Sequence, residues 1–346
     1  MAALKTIEII GGGLAGLTLG IGLRQREIPV VIWEAGRYPR HRVCGEFISG
    51  RGQETLRRLG LLEHVISCHA RMAWTATFFS EQISSREMIL PRPALAVSRL
   101  HLDERLADEF RRSGGDLREN IRCSAQTMME GVVRASGRRI HPIANGWRWL
   151  GLKVHAQRVC LKSDLELHLT PDGYVGLCQL DGEVNVCGLF RSRTPLPDAL
   201  GKWRSSFSGT PGSSLARHCA EALFDEASLC SVAGLSFQPT SGSELKECSV
   251  GDAFSMIAPV TGNGMSMAFE SAAIAIEPLQ EYSRGKQSWE EAQQLIARRC
   301  SGAFRARLRL GSWLQKALFH PRLSPGLIRL INCFPQAFSA MFMHTR

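Results

Sequence analysis

The stretch "IEIIGGGLAGLTLG", Ile7 to Gly20, decides the fold. The apolar run at residues 4 to 10 predicts a short buried strand, and Leu14 to Gln25 predicts a helix. "PVVIWE" then predicts a second strand that ends at Glu34. Between the first strand and the helix, Gly11, Gly13 and Gly16 satisfy G-x-G-x-x-G, the setting in which that spacing has a mechanism. The first glycine allows the tight turn, the second lets backbone approach a pyrophosphate, and the third lets helix and strand pack closely. The N–H groups of the helix start, at Leu14 and Ala15, face the anion. Glu34, followed by Ala35, stands 18 positions beyond Gly16, placed to accept hydrogen bonds from an adenosine ribose. An acid there disfavours a 2′-phosphate, which leaves FAD or NAD and sets aside NADP. The competing reading is a glycine-rich turn without a ligand.

The chain has 346 residues, 44% of them hydrophobic, enough for a large core without staples. No run of eighteen apolar residues occurs, and the first ten residues enter a strand pattern instead of the basic-then-apolar order of a signal peptide. The expected location is therefore the cytoplasm. The 11 cysteines are scattered singly, without a Cys-x-x-Cys pair or a Cys/His cluster at zinc spacing, so they are expected to be reduced thiols and no metal is expected. A net charge of +10 suits nucleic acid, an anionic membrane or an acidic ligand. The arginines are nevertheless spread along the chain with no basic run interleaved with aromatics, which speaks against nucleic acid.

Helical patterns follow at residues 52–64 and 100–113, with strand-like alternation between them in "RMAWTATFF" and "REMILPRP". A second block of strands runs from Gly151 to Arg193, through "LGLKVHAQRV", "LELHLT", "GYVGLCQL" and "EVNVCGLF". After Leu196 the pattern turns helical, returns to a strand at "CSVAGLSF", and from Ser288 is helical, divided by Pro321, Pro325 and Pro335. The expected fold class is α/β (α+β mixed): a Rossmann-like nucleotide domain, an interleaved β-sheet substrate domain and a helical C-terminus. The nucleotide domain is assigned to residues 1–70, 99–150 and 240–285. The substrate domain takes 71–98 and 151–239, and the C-terminal region 286–346.

A second glycine-bearing segment, "VGDAFSMIAPVTGNGMSMAFESA", separates FAD from NAD. Asp252, after Gly251 at the end of a strand pattern, is placed to hold a polyol hydroxyl. Gly262 and Gly264, with Met265, begin a helix whose N–H groups suit an electron-rich ring edge. With "GGGLAG", "ASGRR" (Ala135 to Arg139) and "GDAFSMIAP" in this order, the chain resembles the FAD-dependent monooxygenases of the para-hydroxybenzoate hydroxylase fold, whose relatives include the geranylgeranyl reductases and the flavin halogenases. The resemblance implies FAD, with Asp252 on the ribityl chain, Pro259 beside the flavin, and the N–H groups near Gly264 and Met265 at its N1 and O2 edge. It further implies that Arg99, in "SRLHLDERL", contacts the cofactor phosphates and that Arg42, in "YPRHRVCGEFIS", lies beside the pyrophosphate.

The chain departs from the hydroxylase pattern at Ser136, where the family usually has an acid before glycine. Direct reduction by NAD(P)H is then in question, and a partner reductase is the alternative electron donor. "RVCGEF" resembles the reductase branch, in which Cys44 stands close to the flavin and Glu46 serves as an acid or a plain loop carboxylate. "GWRWLGLK" lacks the Ile-Pro of the halogenase strand, so Trp147 and Trp149 are expected to pack at the entry to the substrate sheet. Lys153 and His155 alternate on that strand and share a face. If that face meets the flavin, both would position an acidic or phenolic substrate, His155 as a base; the bland reading is a hydrogen-bonded structural histidine. The C-terminal stretch 318–346, with Arg305, Arg307, Arg309, Arg322 and Arg329 around it, reads as a terminal helix packed on the body. Its alternative is a greasy lid or peripheral contact at the inner membrane face. These readings converge on an FAD-dependent monooxygenase acting on an aromatic or lipophilic natural-product intermediate. The rivals are a reductase that saturates an isoprenoid or other alkene, and a flavin-binding protein without turnover.

Overall fold

The computed structural model describes residues 3–81, 83–123, 129–138, 143, 146–194, 203–235, 237, 247–320 and 323–345. Arg139, Pro321, Arg322, the onset of helix after Leu196 and residues 244–246 of the strand pattern before Gly251 lie outside the described residues. In chain order, β1 (Ile7–Ile10), α1 (Leu14–Arg24) and β2 (Val30–Trp33) form the expected βαβ unit. β3 (Phe47–Ile48) and the helices α2 (Arg51–Arg58) and α3 (Leu62–Ile66) follow. The one helix expected over residues 52–64 is thus two, because Gly60 takes a left-handed φ of 69° between them. Next come β4 (Arg71–Ser80), β5 (Ile83–Ser84), β6 (Met88–Ala96) and α4 (Arg99–Arg112), whose N-cap Ser98 accepts the Leu100 N–H at 3.2 Å. The chain continues through β7 (Asp116–Arg118), β8 (Val132–Arg134), β9 (Arg148–Gln157), β10 (Leu165–Thr170), β11 (Gly173–Gln179) and β12 (Val184–Ser192). The rest is α5 (Trp203–Phe207), α6 (Ser214–His218), β13 (Leu223–Ala233), β14 (Cys248–Ser249), α7 (Gly264–Ser283), α8 (Trp289–Leu318), α9 (Ser324–Cys333) and α10 (Pro335–Thr345).

Two sheets organise these elements. The first has the order β14-β8-β1-β2-β7 and is parallel throughout. Its central strands β1 and β2 are short and mostly apolar because helices cover them: α1 is buried from Leu14 to Leu23, between the sheet and α7. A Cβ on Gly22 would stand 2.3 Å from Ile276 Cδ1, so glycine is what lets α1 and α7 approach so closely. The second sheet runs β13-β9-β12-β11-β10-β4-β6-β3, antiparallel except for the parallel pair β10–β4, with β5 on the flank of β4. β3 belongs to the second sheet although it follows directly on the first βαβ unit. β9 begins at Arg148, so Trp147 and Trp149 stand at its entrance. Trp149 is buried edge-on between Phe237 and Phe319, and Arg191 and Arg193 lie over the Trp147 ring at 4.4 and 4.7 Å.

The C-terminal helices pack on the body. Phe338 and Phe342 of α10 enter a core cluster with Ala73, Met88 and Leu90, and Ile328 of α9 joins Trp149, Tyr174 and Phe319. Arg307, expected among exposed flanking charges, is instead buried in α8 with a bidentate bond to Glu270 of α7, both contacts at 2.7 Å. No helix among the described residues is long and apolar enough to cross a membrane.

Candidate active site

One cavity of about 950 Å³ lies between the two sheets. Gly11, Gly13, Leu14, Ala15, Glu34 and Ala35 line one part, and Gly251, Asp252, Pro259, Gly262, Gly264 and Met265 another. The two distant glycine turns thus meet at a single space. Gly16 stays behind it: a Cβ there would stand 2.0 Å from the Gly11 carbonyl oxygen, which fixes the helix-to-turn contact. Gly13 differs, since nothing lies within 4 Å of where its Cβ would project, and it caps α1 without a side chain. The first turn of α1 therefore presents bare N–H groups.

Glu34 is buried and accepts the N–H groups of Gly12 and Gly36, each at 2.8 Å, and the Arg40 guanidinium at 2.5 Å. Burial alone would raise its pKa, but the Gly36 N–H and the charges of Arg42 and Arg40 outweigh that and hold the carboxyl below its usual range. The Tyr38 hydroxyl donates to the Gly12 carbonyl, closing the turn from behind. Arg42 and Arg99 converge on the buried carboxylate of Asp103, Arg42 through Nε at 3.0 Å and Arg99 through Nε and Nη2 at 2.7 and 2.8 Å. Two guanidiniums on one carboxylate leave a net positive charge facing the cavity. Arg42 Nη2 is buried with no hydrogen bond among the described residues, its nearest ion-pair partner being Glu34 Oε2 at 3.5 Å. An open glycine cradle, bare helix N–H groups and a guanidinium N–H without a hydrogen bond are the donors a diphosphate needs, and the residues present fit the group.

At the other end Asp252 projects into the cavity. Its side chain is exposed to that space, yet the protein around the cavity disfavours its charge, and despite the pull of Arg99 and Arg138 its pKa is pushed up to about 6. Ser136 also lines the cavity and accepts from Arg134 Nε at 3.0 Å.

The wall from the second sheet includes Gly151, Tyr174, Cys187, Gly188, Leu189, Cys230 and Val232. Lys153 and His155 do not line the cavity. Both are buried behind it, joined to a wholly buried Glu46: His155 Nε2 lies 2.7 Å from Glu46 Oε2, and Lys153 Nζ lies 3.4 Å from Oε1. His155 Nδ1 meets Glu183 at 2.8 Å. Burial would lower the His155 pKa, but hydrogen bonds to Glu183 and Glu46 raise it, so this ring sits between two carboxylates and has no free edge for a substrate. Glu46 holds a left-handed φ of 59°, a costly conformation for a side chain this size. The Val97 N–H to its carbonyl and the Arg99 N–H to its carboxylate, each at 2.9 Å, keep it there.

Glu46 and His41 of this network line the cavity, and His41 is a residue sequence reasoning passed over although it lies inside "YPRHRVCGEFIS". Lys153 Nζ is 2.9 Å from His41 Nδ1. An ammonium only donates, so Nδ1 is the acceptor and the proton of a neutral ring resides on Nε2. Burial, with the charges of Lys153 and His155, lowers the His41 pKa to about 4. Cys44 lines the cavity as well, its thiol pushed up by burial against the pull of Arg99. Asp103 was missed too, although it stands four residues after Arg99 on the predicted helix, a readable spacing. Glu183 carried no signal, because only the β9–β12 pairing brings it to His155.

Comparison with known proteins agrees with this geometry. Residues 4–140 match the family model described as an FAD binding domain. Halogenase PltM, solved with phloroglucinol and FAD, superposes with a TM-score of 0.73 at 15% identity, covering 98% of this chain and 85% of that one. PqsL of P. aeruginosa, solved with 2-aminobenzoylacetate, gives 0.72 at 16% identity over 95% and 100% of the two chains. The flavin-dependent brominase Bmp2 gives 0.73 at 15% identity over 99% and 94%. Conditioned medium factor receptor 1 of Dictyostelium discoideum is 29% identical over 126 residues, 33% of this chain and 25% of that protein. The chain binds FAD and has the fold of the flavin-dependent monooxygenases and halogenases, of the para-hydroxybenzoate hydroxylase type.

Proposed function

We propose that this chain is an FAD-dependent monooxygenase that oxidises an aromatic or lipophilic small molecule held between the cofactor and the second sheet. The observation that carries the reading is the single cavity in which a glycine-lined anion cradle opens onto an apolar wall with one neutral histidine. The bound FAD supplies the redox equivalents and the activation of oxygen. Gly13, the start of α1, Arg42 and Arg99 hold its diphosphate, Glu34 its ribose and Asp252 its ribityl chain. Pro259 and the N–H groups at Gly264 and Met265 border the ring. His41 donates from Nε2 to a phenolic or carbonyl oxygen of the substrate. Lys153, clamped by Glu46, fixes that tautomer and keeps the ring from acting as a base at Nδ1. Leu189, Val232 and Leu235 exclude water from the reacting face.

One observation favours a second reading. Cys44 lines the cavity as a protonated thiol, the state required of a proton donor in alkene reduction. Turnover with aromatic and isoprenoid candidates under labelled dioxygen separates the two. Incorporation of label into product, with no turnover under anaerobic conditions, supports the monooxygenase. Saturation of an alkene in the absence of oxygen overturns it in favour of the reductase, and flavin-loaded protein inert in both assays overturns both. The electron donor is tested in the same experiment by comparing NADH and NADPH with a separate reductase, which Ser136 leads us to favour.

A further inference from the structure

A second group of donor atoms lies away from the cavity, inside the second sheet. Glu166 and His168 stand two apart on β10, so both side chains leave the same face of the strand. His218, the last residue of α6, reaches the same point. His168 Nε2 and His218 Nδ1 are each 2.8 Å from Glu166 Oε2, and the three ligand atoms all fall within 4.8 Å of one another. Glu166 and His168 are buried, and His218 keeps a partly exposed edge. The rest of the carboxylate is already fixed, since Oε1 accepts the Lys162 and Ser163 N–H groups. Phe79 stacks flat on His168 at 4.3 Å and edge-on to His218 at 5.2 Å, which holds both rings in place.

We propose that Glu166, His168 and His218 bind a Zn²⁺ ion, with its fourth position open to water on the exposed side of His218. Two imidazoles and a carboxylate are the donor set of an open zinc site. Ligands about 2.1 Å from a tetrahedral ion stand roughly 3.4 Å apart, so the two pairs at 2.8 Å widen by about 0.6 Å on binding. Each ring turns a lone pair to the metal and carries its proton on the far nitrogen. For His168 that is Nδ1, buried without a hydrogen-bond partner among the described residues. A small cavity lined by His168, Thr210 and Ser213, about 10 Å³, offers near room for one water to accept a hydrogen bond from that N–H.

The test uses the full chain, purified without chelator, with metal content by mass spectrometry and thermal melts in EDTA and in excess ZnCl₂. The expected result is near one zinc per chain, or uptake to that level from added ZnCl₂. EDTA lowers the melting temperature by roughly 4 °C and zinc restores it. Cobalt in place of zinc gives the visible absorbance of a four-coordinate ion. His218→Ala, at the partly exposed ligand, abolishes all three responses while its flavin content stays unchanged, and His218→Cys regains zinc. Glu166→Gln, which keeps the shape but trades one acceptor oxygen for an NH₂ donor, also loses the metal. Protein that takes up neither ion from a molar excess and melts alike in both reagents overturns the proposal. A His218→Ala variant that keeps the metal overturns it as well.

Discussion

Gly13 and Gly16 belong to one motif yet do opposite work, and a pair of variants separates them. A Cβ at Gly13 projects into the open cradle, and its φ of −83° suits any residue. Gly13→Val is expected to fold, to melt within a few degrees of the FAD-stripped parent and to lose its visible flavin absorbance. Gly16→Ala puts a methyl against the Gly11 carbonyl and is expected to cost about 1–3 kcal/mol in chemical denaturation before any question of cofactor arises. The buried lysine gives a further expectation: Lys153→Met leaves Glu46 with one cationic partner fewer in a dry site and is expected to cost about 3 kcal/mol. It also frees His41 Nδ1 from its ammonium, so the His41 pKa in that variant moves up from about 4, which NMR titration of the ring measures. The glycines and Glu34 were legible in the sequence because a phosphate cradle needs them at fixed spacing. Lys153 and His155 were legible as a pair on one strand face, but not as covered there by the segment that carries His41 and Glu46, because a two-residue period gives faces and not what packs on them.

Among the elements, α7 and α8 rest on a buried ion pair. Arg307→Ala strands Glu270 and is expected to destabilise the fold by about 3–5 kcal/mol, whereas replacing both partners with methionine and leucine is expected to recover most of the loss. Ser288 caps α8 in a reciprocal box with Glu291, and Ser288→Ala is expected to cost about 1 kcal/mol, read from the midpoint of urea unfolding. Helix starts of this kind were readable from residue types, as at Ser98 and Ser288. The burial of Arg307 was not, because the apolar stripe of α8 alternates with arginines and only the partner on α7 tells which one turns inward. The break at Gly60 was readable in principle, but the apolar spacing through residues 52–64 outweighed a single glycine.

For the whole molecule, His41 is one of the groups through which pH acts on stability. Its ordinary pKa of 6.5 falls to about 4 on folding, so between those values the unfolded chain binds more protons than the native one. The native state holds its full advantage from this group above 6.5 and loses it progressively as pH drops toward 4. His41→Gln is expected to flatten that limb of the stability profile in denaturation series across pH 4 to 7. The order of the nine-stranded sheet was the least legible feature. The sequence shows most of the strands, but the parallel pair β10–β4 and the edge position of β3 depend on contacts between segments far apart in the chain.

The placement of β3 has a mechanical consequence. Residues 40–48 form one strap: Arg40 and Arg42 turn to the anion cradle, His41 and Cys44 to the cavity between the sheets, Glu46 to the buried lysine, and Phe47 stitches the run to the edge of the far sheet. Tension introduced at one end of so short a tether is felt at the other. Occupation of the nucleotide end should therefore quieten the far end, and amide exchange at residues 40–48 and in β9 is expected to slow together when FAD is added to stripped protein.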